Sequence, residues 1–301
     1  MRWRKLGRIY QPHSSHHKLK SHASNPLAVL LDGDVYRIFF CGRDDENRSS
    51  IGFVDIDIET RRVVYEPAQP VFDHGPPNSF CSHGVSLGSC YEVSGTRYIL
   101  FMGWQRPRNA HWHGVIGRLV LQPDYSLQLD GLQPFMDLND LDRLSLSYPW
   151  ALCDPQGTYR MWYGSTVTWD AGNGEMLHVI NQATSDDGHN WNREGVAIPF
   201  QFGVAQAFSR PSVICDPGGI SHMWFSYRGN AAEKYRIGYA TQNAGERWTL
   251  RLQDAGIDVS SDGWDSEMIE YPFVFDHNKT RFLVYNGNGF GKTGFGLAQL
   301  E

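Results

Sequence analysis

The chain has 301 residues, of which 41% are hydrophobic and 20% charged, so it can fill a large core and is not expected to be intrinsically disordered. Aromatic residues make up 13% of the chain, with 31 glycines and 10 tryptophans, which is unusual for a helical bundle. The 33 acidic and 27 basic residues leave a net charge of −6, which gives no electrostatic reason to expect a nucleic-acid partner.

The N-terminal segment MRWRKLGRIYQPHSSHHKLK is basic, but no apolar stretch follows it, so it does not predict a secretory signal. No apolar run in the chain is long enough to span a bilayer. The 5 cysteines are odd in number and lack CxxC spacing, which favours free thiols over a disulfide framework or a zinc site. We therefore expect a cytoplasmic protein that uses no cofactor and no metal.

A strand rich in aromatic residues recurs along the chain about every 60 residues. In chain order these segments are YRIFFCG, YILFMG, YRMWYG, HMWFS and RFLVYN. A shorter apolar strand precedes each one and opens at Pro26, Gly84, Pro149, Pro211 and Pro272. The third strands are IGFVDI, GVIGRLVL, HVINQATS, YRIGYATQ and TGFGLAQL, and the fourth strands are RRVVYEP, SLQLDGL, WNREGVA and WTLRLQDA. The fifth repeat has no fourth strand of its own.

Four-stranded units repeated in this way predict an all-β fold, a five-bladed β-propeller. The N-terminal segment RWRKLGRIYQP would complete the last blade and close the ring, which removes an exposed edge. The prediction is one domain, residues 1–301, with blades at about 20–75, 80–135, 145–200, 207–260 and 268–301 plus 1–12. A β-sandwich is the alternative, but five equal periods are hard to obtain there.

In a propeller, the first strand of each blade lines the central channel and the second strand runs back antiparallel. The start of each first strand and the loop after each second strand therefore share one face. Polar, aromatic and ionisable residues concentrate at these positions, as expected for a ligand site in a concave mouth, and their chemistry suits a sugar. The candidates for substrate binding are His22, Asn25, Arg43, His83, Trp104, Tyr148, Arg210, Arg228 and Tyr271.

The openings SNP, SRPSVI and EYPFVF, followed by MWYG and MWFSYRG, resemble the five-bladed glycosidase superfamily of arabinanases, β-xylosidases, invertases and β-mannoside phosphorylases. The segment ATSDDGHNW is similar to the turn that joins outer strands in such blades. The resemblance covers essentially the whole chain. At two positions this sequence departs from the pattern. Asn25 stands where arabinanases and invertases carry Asp, and Ser82, His83 and Gly84 stand where the phosphorylases carry an acidic motif. Neither catalytic carboxylate carries over.

Four carboxylates are candidates for catalysis, because glycosidic cleavage needs an acid on the leaving oxygen and usually a second carboxylate. Glu270, at the start of the fifth first strand, is the first choice as acid or as a binder of sugar hydroxyls; the alternative is a surface or salt-bridged residue. Glu267 is a weaker candidate in the same segment. Asp44 or Asp45 would be the partner, although GRDDEN is also ordinary turn sequence. Asp137, Asp140 and Asp142 are expected to face solvent.

Two further groups of residues have more than one interpretation. Arg210, at the start of a first strand, needs either a carboxylate or an anionic ligand, or else it bridges blades structurally. With Arg43, Arg228 and His83, it could hold a phosphate or a sugar acid. The HWH segment places two imidazoles on one side of a strand, but no known ligand spacing supports a metal site. The glycine-rich NGNGFGKTGFG is predicted to be a β-turn and not a nucleotide-binding loop.

These observations favour a glycosidase of the glycoside hydrolase type, acting in polysaccharide metabolism. Hydrolysis is the default reaction, and the departures at the catalytic positions shift weight toward phosphorolysis or glycosyl transfer. A small sugar, a sugar phosphate or an oligosaccharide is the expected partner, with no membrane span. Two non-enzymatic alternatives remain: a sugar-binding propeller in glycan biosynthesis and a protein-interaction propeller.

Overall fold

The computed structural model describes residues 1–301, which form 20 β-strands and almost no helix. The strands are β1 (Trp3–Tyr10), β2 (Ser21–Asp32), β3 (Val35–Arg43), β4 (Ser49–Asp57), β5 (Arg62–Tyr65), β6 (Gly84–Val93), β7 (Thr96–Gln105), β8 (His113–Leu121), β9 (Leu127–Leu129), β10 (Leu146–Cys153), β11 (Tyr159–Thr168), β12 (Leu177–Ser185), β13 (Asn192–Val196), β14 (Ala207–Cys215), β15 (Ile220–Arg228), β16 (Arg236–Asn243), β17 (Thr249–Leu250), β18 (Glu270–His277), β19 (Thr280–Asn286) and β20 (Phe295–Leu300). A 3₁₀ turn covers Leu252–Asp254 and a one-turn helix, α1, covers Asn288–Gly291.

The strands form three hydrogen-bonded sheets of four, eight and eight strands. Each eight-stranded sheet consists of two antiparallel groups of four strands joined by a single parallel bridge, so the chain has five antiparallel groups of four strands, called units below. The units are β2–β5, β6–β9, β10–β13, β14–β17 and β18–β20 with β1. β1 is the fourth strand of the last unit, because it pairs antiparallel with β20, where Trp3 lies opposite Leu300. The all-β prediction is therefore confirmed. Each first strand packs against the first strand of the next unit, and β18 packs against β2.

Burial changes across each unit in a way that the residue types explain. The third strand of the first unit, β4, is buried along nearly its whole length, whereas the fourth strand, β5, is exposed. Aromatic side chains of the second strands fill the space between units, and Trp162 and Trp224 are among the largest fully buried side chains. The aromatic side chains therefore pack one unit against the next. The polar residues lie instead at the ends of the first strands.

All five first strands carry the same β-bulge, in which two residues lie opposite a single residue of the second strand. In the first unit, Asn25 and Pro26 share the single partner Phe40. The corresponding pairs in the other units are Gly88–Ser89, Tyr148–Pro149, Arg210–Pro211 and Tyr271–Pro272. A proline is tolerated at a bulge because no ladder hydrogen bond needs its missing N–H group. Strand β6 begins at Gly84 as the sequence suggested, but the second unit places its bulge at Gly88.

The first residue of the bulge adopts an unusual backbone conformation in four of the five units. The φ angles of Asn25, Tyr148, Arg210 and Tyr271 are 55°, 39°, 45° and 52°, in the left-handed region that L-residues rarely adopt. Such strain is retained only where the surrounding contacts hold it in place. At Gly88, a Cβ atom would overlap the carbonyl oxygen of Pro149, so the close approach of two units requires glycine there.

Arg210 lies where the bulges meet. Its guanidinium donates hydrogen bonds to the carbonyl oxygens of Tyr271 at 3.0 Å, Pro26 at 2.6 Å and Gly88 at 3.3 Å. Burial lowers the pKa of Arg210 to about 9, so the group keeps its charge at neutral pH. These contacts are those of an arginine that bridges units structurally, one of the alternatives that the sequence left open. The single cation links the bulges of four units, and no carboxylate pairs with it.

One loop prediction was wrong. Asp142 was expected to face solvent, but its carboxylate is fully buried and accepts hydrogen bonds from Arg193 at 2.8 Å, Tyr163 at 2.9 Å and Asn181 at 2.7 Å. The glycine-rich C-terminal segment turns the chain between β19 and β20 through α1, in which Gly289 and Phe290 have left-handed φ angles of 71° and 60°. By contrast, Asp187 caps the turn between β12 and β13, as its likeness to an outer-strand turn implied.

Candidate functional site

A cavity of about 630 Å³ opens at the face where the first strands begin and the loops after the second strands converge. Its wall combines aromatic rings with arginine, histidine and hydroxyl groups. The lining residues are Arg43, Asn47, Ser86, Met102, Trp104, Arg106, Ala110, His111, Trp112, Ser147, Tyr148, Met176, His178, Phe208, Ser209, Arg228, Tyr235, Tyr271 and Phe290. Of the candidates for substrate binding, the structure brings Arg43, Trp104, Tyr148, Arg228 and Tyr271 together here. A concave wall of this chemistry can bind a small polar ligand.

Glu270 lies directly before the fifth bulge, next in the chain to the lining residue Tyr271, but it is fully buried and does not itself line the cavity. Both of its carboxyl oxygens are buried and have no hydrogen-bond partner. The corresponding residues in the other units are Ser24, Leu87, Ser147 and Ser209, so Glu270 is the one ionisable residue at this position. Burial raises the pKa of Glu270 well above its ordinary value, although the positive charges of Arg43 and Arg228 oppose this shift. Burial therefore favours the protonated form of this carboxyl group over the charged form.

Two tyrosines, one from the bulge of the third unit and one from that of the fifth, form a pair, and Tyr271 follows Glu270 in the chain. The hydroxyl groups of Tyr148 and Tyr271 are 3.3 Å apart, and their ring centroids are 5.4 Å apart. Burial raises the pKa of both phenols, and the charge of Glu270 would raise both further. These phenols remain neutral and can donate or accept hydrogen bonds within the cavity.

Arg228 is held by a carboxylate that the sequence analysis missed. Its Nε atom lies 2.7 Å from Oε2 of Glu175, a buried residue in the loop between β11 and β12. The guanidinium also lies 4.9 Å from the centre of the Tyr235 ring. Glu175 and Tyr235 both lie between a second and a third strand, so the rule that selected Arg228 could have found them. The carboxylate of Glu175 therefore orients the Arg228 guanidinium and balances its positive charge.

A histidine and two hydroxyl residues form a second polar group in the wall. His178 bonds through Nε2 to the Ser147 hydroxyl at 2.7 Å and through Nδ1 to the Thr166 hydroxyl at 2.8 Å. Burial lowers the pKa of His178 to about 4, so the imidazole is neutral. Sequence analysis missed His178, because it lies inside β12 and not in a loop.

The HWH segment contributes aromatic surface to the cavity. The His111 ring stacks on Trp169 with centroids 4.5 Å apart, and Trp112 meets Trp169 edge to face at 4.9 Å. No group of three or more His, Cys, Asp or Glu side chains is arranged to hold a metal ion. The segment therefore offers ring faces on which a sugar ring or another planar group could stack.

None of the four carboxylates chosen from the sequence lines the cavity, and the three other than Glu270 lie in contacts of their own or are exposed. Asp44 is buried in its own loop, where it accepts hydrogen bonds from the backbone N–H groups of Glu46 and Arg48 and from the Arg48 side chain. These bonds hold the pKa of Asp44 below its ordinary value. The exposed carboxylate of Asp45 pairs with Lys20. The Glu267 side chain is exposed.

Three further candidates lie near the cavity without forming its wall. The His22 ring bonds to the Ser21 hydroxyl at 2.9 Å, and burial lowers its pKa to about 4 with help from Arg43 and Lys292. The His83 ring lies 5.9 Å from the Trp104 ring. Asn25 is buried, and its backbone N–H donates to the side chain of Asn286 at 2.9 Å. Asn25 therefore helps to join the first and last units.

Comparison with solved structures identifies the class of the fold. A glycoside hydrolase superposes with a TM-score of 0.76 at 12% identity, over 99% of this chain and 92% of that one. A structure from the GH130 family of mannoside phosphorylases, a family that contains glycoside hydrolases targeting β-1,2 mannosidic linkages in Candida mannan, superposes with a TM-score of 0.73 at 13% identity, over 99% and 93% of the two chains. A thermostable family-43 glycoside hydrolase gives 0.70 at 16% identity, over 94% and 91%. The fold is thus that of the glycoside hydrolase-like β-propellers.

Sequence comparison then places the chain in a family. It is 43% identical over 303 residues to the uncharacterized protein Rv1502 of Mycobacterium tuberculosis, with all of both chains covered. The chain belongs to the same family as this mycobacterial protein. No family model matches the sequence. None of its helices has the length and apolar character required to cross a membrane.

Proposed function

We propose that this protein is a carbohydrate-active enzyme that cleaves or transfers at a glycosidic linkage bound in the cavity, with Glu270 as general acid. The observation that carries the proposal is the buried carboxyl group of Glu270, which has no hydrogen-bond partner and lies directly before the lining residue Tyr271 in the chain. A leaving sugar oxygen needs a proton as the glycosidic bond breaks, and a carboxyl group with a raised pKa retains that proton at neutral pH.

The fold part of the proposal is one domain of five blades, residues 1–301, with the ring closed between the last unit and the first. Three observations support it. β1 completes the last sheet, β18 packs against β2, and Arg210 donates to carbonyl groups of three other units. In such a ring, the cavity is the mouth of the central channel and Arg210 fills the channel beneath it.

The choice of reaction depends on the number of available carboxylates. Glu175 is bound to Arg228, and Asp44 and Asp45 are bound to Arg48 and Lys20 outside the wall. Glu270 is then the single free carboxyl group at the cavity. Hydrolysis by two carboxylates needs a second one to activate water or to attack carbon. This favours phosphorolysis or transfer, in which phosphate or an acceptor hydroxyl supplies the nucleophile, over two-carboxylate hydrolysis.

A general acid has a kinetic signature that a structural residue lacks. For Glu270→Gln, we expect turnover of alkyl glycosides to fall by about a hundredfold or more, because no proton reaches the leaving oxygen. Turnover of 2,4-dinitrophenyl glycosides should be largely retained, because that leaving group departs as an anion. Glu267→Gln, which alters an exposed carboxylate three residues away, is the matched control and should behave as wild type. Equal loss on both classes of substrate would contradict the assignment.

A non-catalytic sugar-binding propeller is the second candidate. The observation that favours it is the complete burial of the Glu270 oxygens, which no ligand reaches without movement of the wall. In this case, wild type and Glu270→Gln would both bind oligosaccharides in calorimetric titrations, and neither would turn over any glycoside with or without phosphate. The two candidates therefore differ in the wild-type turnover itself.

A further inference from the structure

Two arginines of the cavity wall have no carboxylate partner. Arg43 and Arg106 line the cavity, and neither side chain forms an ion pair or a hydrogen bond. Arg43 is partly buried, whereas Arg106 is exposed. Other partly or fully buried arginines, such as Arg37, Arg118 and Arg193, pair with Asp55, Asp130 and Asp142 at 2.6–2.8 Å. A partly buried guanidinium such as that of Arg43 is costly without a counter-charge unless a ligand supplies the missing charge.

The cavity contains no negative charge that could compensate these two arginines. No acidic residue lines the cavity. Among the buried carboxyl groups near it, Glu175 is paired with Arg228, and burial raises the pKa of Glu270 well above its ordinary value. The positive wall also contrasts with the whole chain, whose net charge is −6, so it is a local feature and not a consequence of composition.

The positive region extends beyond the main cavity. Arg106 also lines a neighbouring cavity of about 520 Å³ together with Arg108, and no acidic residue lines that cavity. The aromatic residues Trp104 and Trp112 line the main cavity together with Arg43 and Arg106.

From this arrangement we infer that the sugar ligand carries an anionic group, a phosphate or a carboxylate, that Arg43 and Arg106 bind. The planar guanidinium matches the geometry of both groups, and the aromatic rings supply a surface for the sugar ring. This inference rests on the proposed sugar-binding role of the cavity and narrows its substrates to sugar phosphates, nucleotide sugars and uronic acids. The anion is part of the sugar compound and is not a free ion.

The test is calorimetric binding of matched probes to the full chain: glucose against glucose 1-phosphate and UDP-glucose, methyl glucoside against glucuronic acid, and inorganic phosphate alone. We expect at least one anionic probe to bind about tenfold to a hundredfold more tightly than its neutral partner. The affinity should fall as ionic strength rises, because the guanidinium groups remain in contact with solvent. Binding of the phosphate esters alone, or of glucuronic acid alone, identifies which anion the site takes.

Two variants connect the preference to the arginines. Arg43→Gln should remove most of the preference for the anionic probe. The melting temperature of this variant should equal that of the wild-type protein. Arg247→Gln, which alters an exposed, unpaired arginine in the turn between β16 and β17, is the matched control and should retain the preference. The inference is overturned if no anionic probe exceeds its neutral partner, if Arg43→Gln leaves the preference intact, or if inorganic phosphate alone binds as tightly as the sugar anions.

These readings are independent of the catalytic proposal, because they measure binding and not turnover. A protein that prefers anionic sugars but shows no effect of Glu270→Gln on alkyl glycosides would disprove the general acid and keep the anion site. If Glu270→Gln impaired turnover of alkyl glycosides but no anionic probe bound more tightly than its neutral partner, the anion site would be disproved and the general acid would be kept.

Discussion

The guanidinium of Arg210 donates a hydrogen bond of 2.6 Å to the carbonyl oxygen of Pro26, although 184 residues separate them in the chain. Both residues belong to bulges of first strands, and the same guanidinium also reaches Gly88 and Tyr271. A single buried cation therefore organises carbonyl groups from distant parts of the sequence. The bulges bring these carbonyls within reach of one point, and Arg210 donates hydrogen bonds to them there.

Replacing Arg210 with Met should destabilise the protein by ~3 kcal/mol or more, because three buried carbonyl groups lose their charged donor and no water can replace it. Urea unfolding followed by tryptophan fluorescence measures this change. Arg247→Met, on the exposed turn, should change stability by less than ~0.5 kcal/mol. If the two variants unfolded at the same urea concentration, the central role of Arg210 would be excluded.

The close approach at Gly88 predicts a large effect of one methyl group. Gly88→Ala should cost ~3 kcal/mol or more, because the new Cβ would overlap a backbone oxygen of Pro149, which cannot move as a side chain could. Gly218→Ala is the matched control, because its Cβ would meet no atom within 4 Å, and it should be neutral or slightly stabilising. Thermal unfolding of both variants checks the difference. A stable Gly88→Ala variant would mean that the units lie further apart.

The buried carboxylate of Asp142 should contribute more to the free energy of unfolding than the exposed carboxylate of Asp140. Asp142→Asn removes the charge that Arg193 and Tyr163 contact, and it leaves the Arg193 guanidinium without its counter-charge. We expect a loss of about 3–5 kcal/mol in the free energy of unfolding. Asp140→Asn changes a solvent-facing side chain in the same loop and should have almost no effect. Comparable losses in the two variants would show that the hydrogen bonds of Asp142 add little to the stability of the fold.

The raised pKa of Glu270 makes stability depend on pH in a defined direction. Between the ordinary carboxyl pKa and the raised one, the folded state holds a proton that the unfolded chain has released. The contribution of Glu270 is therefore most favourable below its ordinary pKa, and it is lost as pH rises through the folded-state value. Glu270→Gln removes this dependence.

Urea unfolding at pH 5 and pH 8 measures the effect. Relative to wild type, Glu270→Gln should gain at least ~1 kcal/mol of stability on going from pH 5 to pH 8, because the variant buries no acid at either pH. Glu267→Gln, with its exposed carboxylate, should follow wild type at both values. A difference between wild type and Glu270→Gln that stays constant with pH would mean that Glu270 titrates normally.

How far the sequence predicts the site is seen best at Glu270 and Asp44. Both were selected as acidic residues at positions expected to face the cavity, and the topology brings both to the same end of the molecule. Glu270 is fully buried beside the lining residue Tyr271. Asp44 instead faces its own loop, where backbone N–H groups and Arg48 bind it. Sequence position specified the loop and could not specify the direction of the side chain.

The sequence by itself determined the strands and their grouping into repeated units, because alternating apolar residues and turn-forming Gly, Pro, Asn and Asp act over a few residues. It also indicated that the N-terminal strand completes the last sheet, because that repeat lacked a fourth strand. Only the tertiary structure decided which polar groups lose their contact with water. Arg210 faces carbonyl groups instead of an anion, Asp142 is buried, and Arg228 is compensated by Glu175 while Arg43 is not. Burial and charge pairing depend on contacts between residues far apart in the chain, which local patterns do not encode.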